Sequence, residues 1–371
     1  MTTNSRCGVL LRDLGMGGIQ ASAAKIINGL PQDVSDILLT KPILRQKLRP
    51  GVETHFLAAA WGRKLPVFLE LALAAFAVAR LIRRRQLETL LTFGFSMHVV
   101  GQLASLLAPN RCKVIHCVRN SLNELDENRK RKWMSVLSRW SLRKADIIIV
   151  NSTALKAEAV SIGASPAKVH VIHNGYDLEK LTALSQAVVG HNGICPRFVF
   201  VGRLSQQKNL ELLLRGFADL LVTHEASLSI VGSGESLPEV KALINELQLD
   251  KHVQLEGEQF NPYPYMRSAV ALVLTSVYEG FPNVLVEAMA CGTPVISVDC
   301  PHGPREILAL GGGILVPDPS PEALSQAMRT LLEMPTLHSR LSRETQGVAR
   351  TYALDRMLNG FHEVINPGRA T

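Results

Sequence analysis

The sequence predicts an α/β protein of two successive Rossmann-like domains whose sheets face a central cleft. Short runs rich in β-branched residues alternate with stretches of helical periodicity throughout the 371 residues, the pattern of parallel strands joined by crossover helices. That length exceeds one ordinary core and suits two domains of roughly 150–190 residues. The alternation lapses between Leu178 and Pro196, where small and polar residues collect and end in GHNGICP, as in a linker. We therefore expect a first domain over residues 1–180, a linker over 181–196 and a second domain over 197–345. A last helix over about 351–365 is free to pack back on the first domain.

The elements follow in order. CGVLL (7–11) reads as a buried strand, and the glycine turn DLGMGGIQ (13–20) leads into a helix from Gly18 to Leu30. CKVIHCV (112–118) and ADIIIV (145–150) are further strands, with helices around 128–143 and 153–162, and KVHVIHNG (168–175) closes the half. Beyond the linker, FVFVG (198–202), SLSIVG (227–232), VQLEG (253–257), VALVLTS (270–276) and TPVISVD (293–299) read as strands with amphipathic helices between them. Two such halves can turn the carboxyl ends of both sheets toward one ligand.

Composition narrows the function. With 47% apolar and 19% charged residues the chain is globular rather than disordered. At 5% aromatics it lacks the stacking surface of a single-strand nucleic-acid binder, and no nucleic-acid partner is expected. Residues 1–180 hold 26 of the 40 Lys and Arg and 13 of the 32 Asp and Glu, which makes this part +13 and the remainder −5. That asymmetry is either a solvated basic face or the mark of an anionic partner on the first half. The six cysteines show no C-x-x-C pair or zinc-type histidine spacing, so free thiols in a reducing compartment are expected. MTTNSRCGVLL lacks the apolar stretch of a signal peptide, and the apolar region from Leu65 to Ile82 is broken by Glu70 and Arg80. A cytoplasmic protein is expected.

The most informative stretch is SVYEGFPNVLVEAMACGTPVISVDCPHGPREI (276–307). A strand ends at Ser276, a loop carries Glu279 and Gly280, and Pro282 suits the start of a helix that carries Glu287. Free N–H groups at a helix start seat phosphate, and carboxylates on either side can accept from hydroxyls, as a sugar nucleotide requires. Taken alone, Glu279 reads rather as a helix cap and Glu287 as a surface residue. In VGRLSQQKNLELLLRGF (201–217), Arg203 and Lys208 follow a strand end and precede a helix. Both can stabilise the charge that grows on a departing nucleoside diphosphate.

These stretches closely resemble the signature of glycosyltransferase family 4, the retaining enzymes of GT-B fold that include bacterial cell-surface and lipid-linked glycan types. The resemblance implies that Glu279 contacts the transferred sugar, Glu287 binds the ribose, and backbone amides near Phe281, Asn283 and Val284 hold the diphosphate. It reads Arg203 and Lys208 as the leaving-group clamp, with Glu279, Arg203 and Lys208 catalytic. Gly17 and Gly18 match the glycine turn that faces the donor from the opposite domain. The match is specific from Ala145 to about Leu315 and loose between Leu30 and Asn110, where acceptor recognition lies in this family. Many relatives carry a histidine just after the strand matching CKVIHCV. Here His116 alternates into the strand as a core residue would, and Arg119 or Asn120 can stand at that place instead; all three are acceptor-side candidates.

Other motifs are weaker. VIHNGYD (171–177) reads as a turn held by Asn174 and Asp177. IVGSGESL (230–237) lacks the third glycine of a dinucleotide fingerprint and reads as a turn on the nucleotide side. No Asp-x-Asp near a strand end offers a Mg²⁺ site, so no metal and no cofactor is expected, the nucleotide-sugar being a co-substrate. LPVFLELALAAFAVARLIRRR (65–85) reads as a core helix with a basic end, or as a surface that meets anionic lipid.

The expected function is retaining transfer of a sugar from a UDP-sugar, with a GDP-sugar the second choice, to a glycan or lipid-linked acceptor. A sugar-nucleotide epimerase of the same architecture and a non-catalytic sugar-nucleotide-binding protein are the alternatives. Peripheral contact with the cytoplasmic face of the inner membrane would follow from a lipid-linked acceptor.

Overall fold

The computed structural model describes residues 6–15, 17–57, 66–121, 132–190 and 195–367. The first residues of the helix expected from about 128 lie outside these, as do Met16 of the glycine turn and Leu65. The chain forms two compact units, Met1–Gly175 with Asp355–Thr371, and Tyr176–Leu354.

Unit 1 is a seven-stranded, fully parallel sheet in the order β3-β2-β1-β4-β5-β6-β7. Its strands are β1 (Cys7–Leu11), β2 (Val34–Leu39), β3 (Glu53–Phe56), β4 (Thr89–Phe93), β5 (Lys113–Val118), β6 (Ile147–Val150) and β7 (Val169–Val171). The helices are α1 (Gly18–Gly29), α2 (Val67–Arg85), α3 (Phe95–Leu107), α4 (Lys132–Lys144) and α5 (Thr153–Ser161). Strands β1, β4 and β5 are buried almost throughout, as a sheet covered on both faces requires. Helix α2 supplies Leu71, Ala74, Val78 and Ile82 to one core cluster, together with Met97 and Val100 of α3.

Unit 2 begins with α6 (Leu178–Leu184), where a linker is expected. Its N-terminus is capped by Asp177, whose carboxylate accepts from the Lys180 amide at 3.0 Å; a polar, weakly periodic stretch thus folds because a cap satisfies its first turn. The unit's sheet is parallel in the order β10-β9-β8-β11-β12-β13. Its strands are β8 (Arg197–Val201), β9 (Ser227–Val231), β10 (Val253–Gly257), β11 (Ala271–Leu274), β12 (Val295–Val298) and β13 (Gly313–Val316). Around it lie α7 (Leu210–Leu221), α8 (Leu237–Glu246), α9 (Tyr263–Arg267), α10 (Asn283–Ala290), α11 (Pro304–Leu308), α12 (Pro321–Glu333) and α13 (Pro335–Thr351).

The strand order reverses between β1 and β4 in unit 1 and between β8 and β11 in unit 2. Ligands of such sheets bind beyond the carboxyl ends of the strands at this switch point. The last helix, α14 (Leu354–Ile365), falls almost wholly in unit 1. Asp33 accepts from His362 (2.8 Å) and Asn366 (2.7 Å), and the Lys113 ammonium donates to the Val364 carbonyl (2.8 Å).

Candidate active site

In unit 2 the loops after β8 and β11, the two strands at the switch point, are stapled together. The Thr275 hydroxyl donates to the Lys208 carbonyl (2.9 Å), the Val277 amide to the Gln207 carbonyl (2.9 Å), and the Gln207 side chain to the Tyr278 carbonyl (2.8 Å). The β12 loop adds a third strap, since the Glu279 amide donates to the Pro301 carbonyl at 3.1 Å. Gly303, at φ 106°, lies against Pro282 so closely that a Cβ would come within 2.3 Å of its ring; only glycine suits that place.

This frame brings Lys208 and Glu279 together. Lys208 Nζ lies 2.5 Å from Glu279 Oε1, and the Ser276 hydroxyl donates to the same oxygen at 2.6 Å. Glu279 is only 7% exposed, so its charge is paired and hydrogen-bonded where burial would otherwise be costly. Cys300 reports the same neighbourhood: burial and the Glu279 charge, opposed by Lys208, push its thiol up to about 12. The carboxylate does not cap α10, for which no side-chain cap forms. Asn209 keeps Lys208 in place from the other side. It adopts the left-handed conformation at φ 46° and caps α7 by accepting from the Leu212 amide.

Arg203, by contrast, is exposed, and among the described residues it forms neither a hydrogen bond nor an ion pair. The structure thus brings together two of the three catalytic candidates and leaves the third facing solvent. The loop that carries it is shaped by the IVGSG turn. A Cβ on Gly232 would fall 1.9 Å from the Gly202 carbonyl oxygen, and one on Gly234 would fall 2.2 Å from that of Leu204. Both glycines serve this backbone-to-backbone approach.

Along α10, Phe281 is buried against Tyr352 with ring centroids 5.5 Å apart, and the Tyr176 hydroxyl donates to Asn283 Oδ1 at 2.5 Å. The Asn283 amide donates to the Phe281 carbonyl and that of Leu285 to the Pro282 carbonyl. Among the described residues the Val284 amide has no such loop partner. Glu287 is half-buried farther along the helix. It adds to burial in raising the Tyr263 phenol, and in pushing the Cys291 thiol up to about 12.

The unit 1 candidates separate. Gly17 precedes α1 without a side-chain cap, Gly18 begins it, and the preceding turn is held by the Asp13 carboxylate, which accepts from the Gly15 amide at 3.1 Å. His116 is a core residue and not an acceptor contact. It is 0% exposed, and its Nδ1 lies 2.7 Å from the Thr92 hydroxyl, which is 2.8 Å from Nδ1 of the equally buried His98. Burial, opposed by the Ser141 backbone, lowers His116 to about 3, and burial with the neighbouring His116 lowers His98 well below its usual value.

Arg119 is also buried. Its guanidinium donates to Asn174 Oδ1 (3.0 Å) and the Ile172 carbonyl (3.3 Å) and lies 5.5 Å from the centroid of the Phe361 ring. That makes it a pin between β5, the Asn-Gly turn and α14. Asn120 alone of the three is half-exposed at the β5 end. Among the described residues one group has metal-ligand geometry, Asp36, Glu53 and His55. Arg85 supplies the positive charge there, with Nε 2.8 Å from Asp36 and a second nitrogen 2.6 Å from Glu53.

Comparison with known proteins identifies the family and the fold. Residues 16–180 match the family described as Glycosyltransferase Family 4, and residues 185–348 match Glycosyl transferases group 1. The chain is 29% identical over 360 residues, 95% of its length and 96% of the relative's, to N-acetylgalactosamine-N,N'-diacetylbacillosaminyl-diphospho-undecaprenol 4-alpha-N-acetylgalactosaminyltransferase of Campylobacter jejuni. It is 32% identical over 173 residues, 45% of the chain and 46% of the relative, to the lipopolysaccharide 1,6-galactosyltransferase of Salmonella typhimurium. Among solved structures it superposes on Anabaena HepE in complex with UDP (TM-score 0.80, 19% identity, 97% of this chain and 99% of that one). It also superposes on the lipopolysaccharide outer core galactosyltransferase WaaB (TM-score 0.76, 20% identity, 97% and 98%). The chain is a glycosyltransferase of GT-B fold, in which a family 4 domain precedes a group 1 domain.

Proposed function

We propose that this enzyme transfers a sugar with retention from a nucleoside diphosphate donor, a UDP-sugar in the first instance, to a lipid-linked or surface glycan at the cytoplasmic face of the inner membrane. The observation that carries the reading is the buried Glu279 held by Lys208 and Ser276 at the unit 2 switch point. A sugar hydroxyl can take over part of that hydrogen bonding. Lys208 then turns its charge to the diphosphate, which becomes more negative as the glycosidic bond breaks, and Arg203 closes on the same oxygens from solvent. These cations do the work a metal does elsewhere, and the Val284 amide at the start of α10 adds a phosphate donor. Glu287 takes the ribose. Gly17 and Gly18 give a donor phosphate room to approach the backbone of unit 1, and Asn120 serves the acceptor. The Campylobacter relative, named for an alpha transfer to a diphospho-undecaprenol substrate, supports the anomeric outcome and the acceptor class. HepE in complex with UDP supports the base.

The test is a panel of UDP- and GDP-sugars with polyprenyl-diphosphate glycan acceptors in excess EDTA. Products are weighed by mass spectrometry and their anomeric configuration is read by NMR. An α-linked product from a UDP-α-sugar without added metal is expected. Activity lost in EDTA and restored by Mg²⁺ would overturn the cationic clamp, and an inverted product would overturn the retaining route.

A further inference from the structure

Strand β8 opens on a charge. Arg197, the first residue of RFVFV, is only 3% exposed, and an arginine so placed is ordinarily paired with a carboxylate. Here the partner is neutral. Arg197 donates to the Ser268 hydroxyl just beyond α9, and its guanidinium carbon lies 6.0 Å from the centroid of the Tyr265 ring. Among the described residues Arg197 forms no ion pair, and its Nε is buried without a hydrogen-bond partner. Burial holds the guanidinium below its usual value despite the charge of Glu256, whose carboxylate is engaged by the Ser229 hydroxyl at 3.0 Å. In the parallel register Arg197 pairs with Ser227, the first residue of β9, so the two side chains stand next to each other on one face. The Ser227 hydroxyl is likewise buried and unpartnered. Both open on a cavity of about 320 Å³, walled further by Ser229, Lys251, His252 and Gln254. Nδ1 of His252 lies 3.2 Å from the Ala226 carbonyl, which holds the ring at this wall. Lys251 and Asp250 line the cavity from its exposed side and offset each other in charge. The buried cation is left without a counter-charge.

We infer that this cavity binds a phosphate group, free or carried by a small phosphorylated metabolite. One phosphate oxygen accepts from the Arg197 Nε–H and another from the Ser227 hydroxyl, while Lys251 meets the remaining charge from the solvent side. Such charge-assisted bonds are the strong ones, and a fixed guanidinium loses little freedom in making them. Water would satisfy the hydrogen bonds and leave the buried charge uncompensated; an oxyanion answers both needs. The space exceeds one phosphate, and Gln254 and Asp250 offer hydrogen bonds to the hydroxyls of an attached body. Arg197 and Ser227 begin their strands, so the cavity lies at the amino edge of the unit 2 sheet. Lys208 and Glu279 stand beyond its carboxyl edge, and a five-residue strand such as β8 spans roughly 13–16 Å between the two. The site is separate from the donor seat, and the inference does not rest on the proposed function. When occupied it ties together the starts of β8 and β9 and the turn before β10, so the stability of unit 2 follows phosphate concentration.

The experiment is a titration of the full chain with sodium phosphate at constant ionic strength, followed by phosphorus NMR and by the melting temperature. Saturable binding is expected, with a Kd of about 1 mM or below and a melting temperature that rises with phosphate. Ser227→Ala with Lys251→Gln should weaken binding about tenfold and leave the phosphate-free melting temperature no lower than that of the wild type. Arg197→Met should abolish saturable binding, and the Ser227/Lys251 variant carries the test even where Arg197→Met fails to fold. Lys208→Met, at the donor seat, should bind phosphate as the wild type does. The same titration with α-glucose 1-phosphate separates the two sources. Equal or weaker affinity assigns free phosphate, and affinity tighter by about tenfold assigns a phosphorylated sugar; both results support the site. No saturable phosphate binding, wild-type affinity in the Ser227/Lys251 variant, or loss of binding in Lys208→Met would overturn it.

Discussion

Lys208 and Glu279 stand 71 positions apart in sequence and 2.5 Å apart in space, one on the loop after β8 and the other on the loop after β11. Their side chains are 17% and 8% exposed, so the pair is shielded enough for each charge to depend on the other. Lys208→Met leaves Glu279 buried without its cation. It should lower stability by about 1–3 kcal/mol, less than for a fully buried pair because water still reaches Lys208. Glu279→Gln added to that variant should restore part of the loss, a coupling read from urea unfolding of the four proteins in the cycle. Additive effects would mean that the contact carries no coupling energy.

The clamp predicts a kinetic signature of its own. Removing either Arg203 or Lys208 should slow kcat by about 10²–10³, because both meet charge that appears as the bond breaks. Arg203→Lys keeps the charge and loses the planar fork, and should recover only part of that loss. The double alanine variant should cost less than the product of the single effects, since both serve one leaving group. A wild-type kcat with a raised KM in either single variant would reduce that residue to ground-state binding.

Glu287→Ala should act mainly through donor affinity, by about 1–3 kcal/mol for hydrogen bonds to a charged group. Glu279→Ala should lower kcat more than it raises the donor KM. Identical kinetic changes in the two variants would remove the distinction between sugar and ribose roles.

The histidine couple of unit 1 sets an acid limit on stability. Burial lowers His116 to about 3 and His98 well below its usual value, whereas the unfolded chain protonates both near about 6.5. A depressed folded pKa means that the stabilisation is present above about pH 6.5 and is lost as pH falls from there toward the folded value. Each histidine then costs up to about 1.4 kcal/mol per pH unit. His116→Gln should flatten the fall in unfolding free energy between pH 7.5 and 5. A parallel fall in the variant and the wild type would assign the acid sensitivity to other groups.

Much of this was readable in advance because the chemistry sits on local motifs. Glu279, Gly280 and the helix start follow one another in the chain, and Arg203 and Lys208 follow one strand. The staples were not readable: Gln207, Thr275 and Ser276 gain meaning only when loops distant in sequence meet. Strand β2 was hidden because Asp36 interrupts its apolar run, and its buried carboxylate is paired with Arg85 and hydrogen-bonded to His55 from elsewhere. Strand β3, ETHF, has no apolar run at all. His116 shows the opposite case: strand alternation pointed inward, against the family's histidine, and the fold follows the alternation.

Unit 1 is discontinuous, closed by α14 after the whole of unit 2 has intervened. On the ribosome this imposes a schedule. Residues 176–354 emerge as a complete sheet with its helices and can fold while the first unit still lacks Phe361, His362 and Asn366. Until then Arg119 lacks the Phe361 ring, and Asp33 is a carboxylate without the two partners from the last segment, His362 and Asn366. The nascent first unit is thus the part exposed to chaperones and proteases, and the arrival of α14 releases it from that exposure.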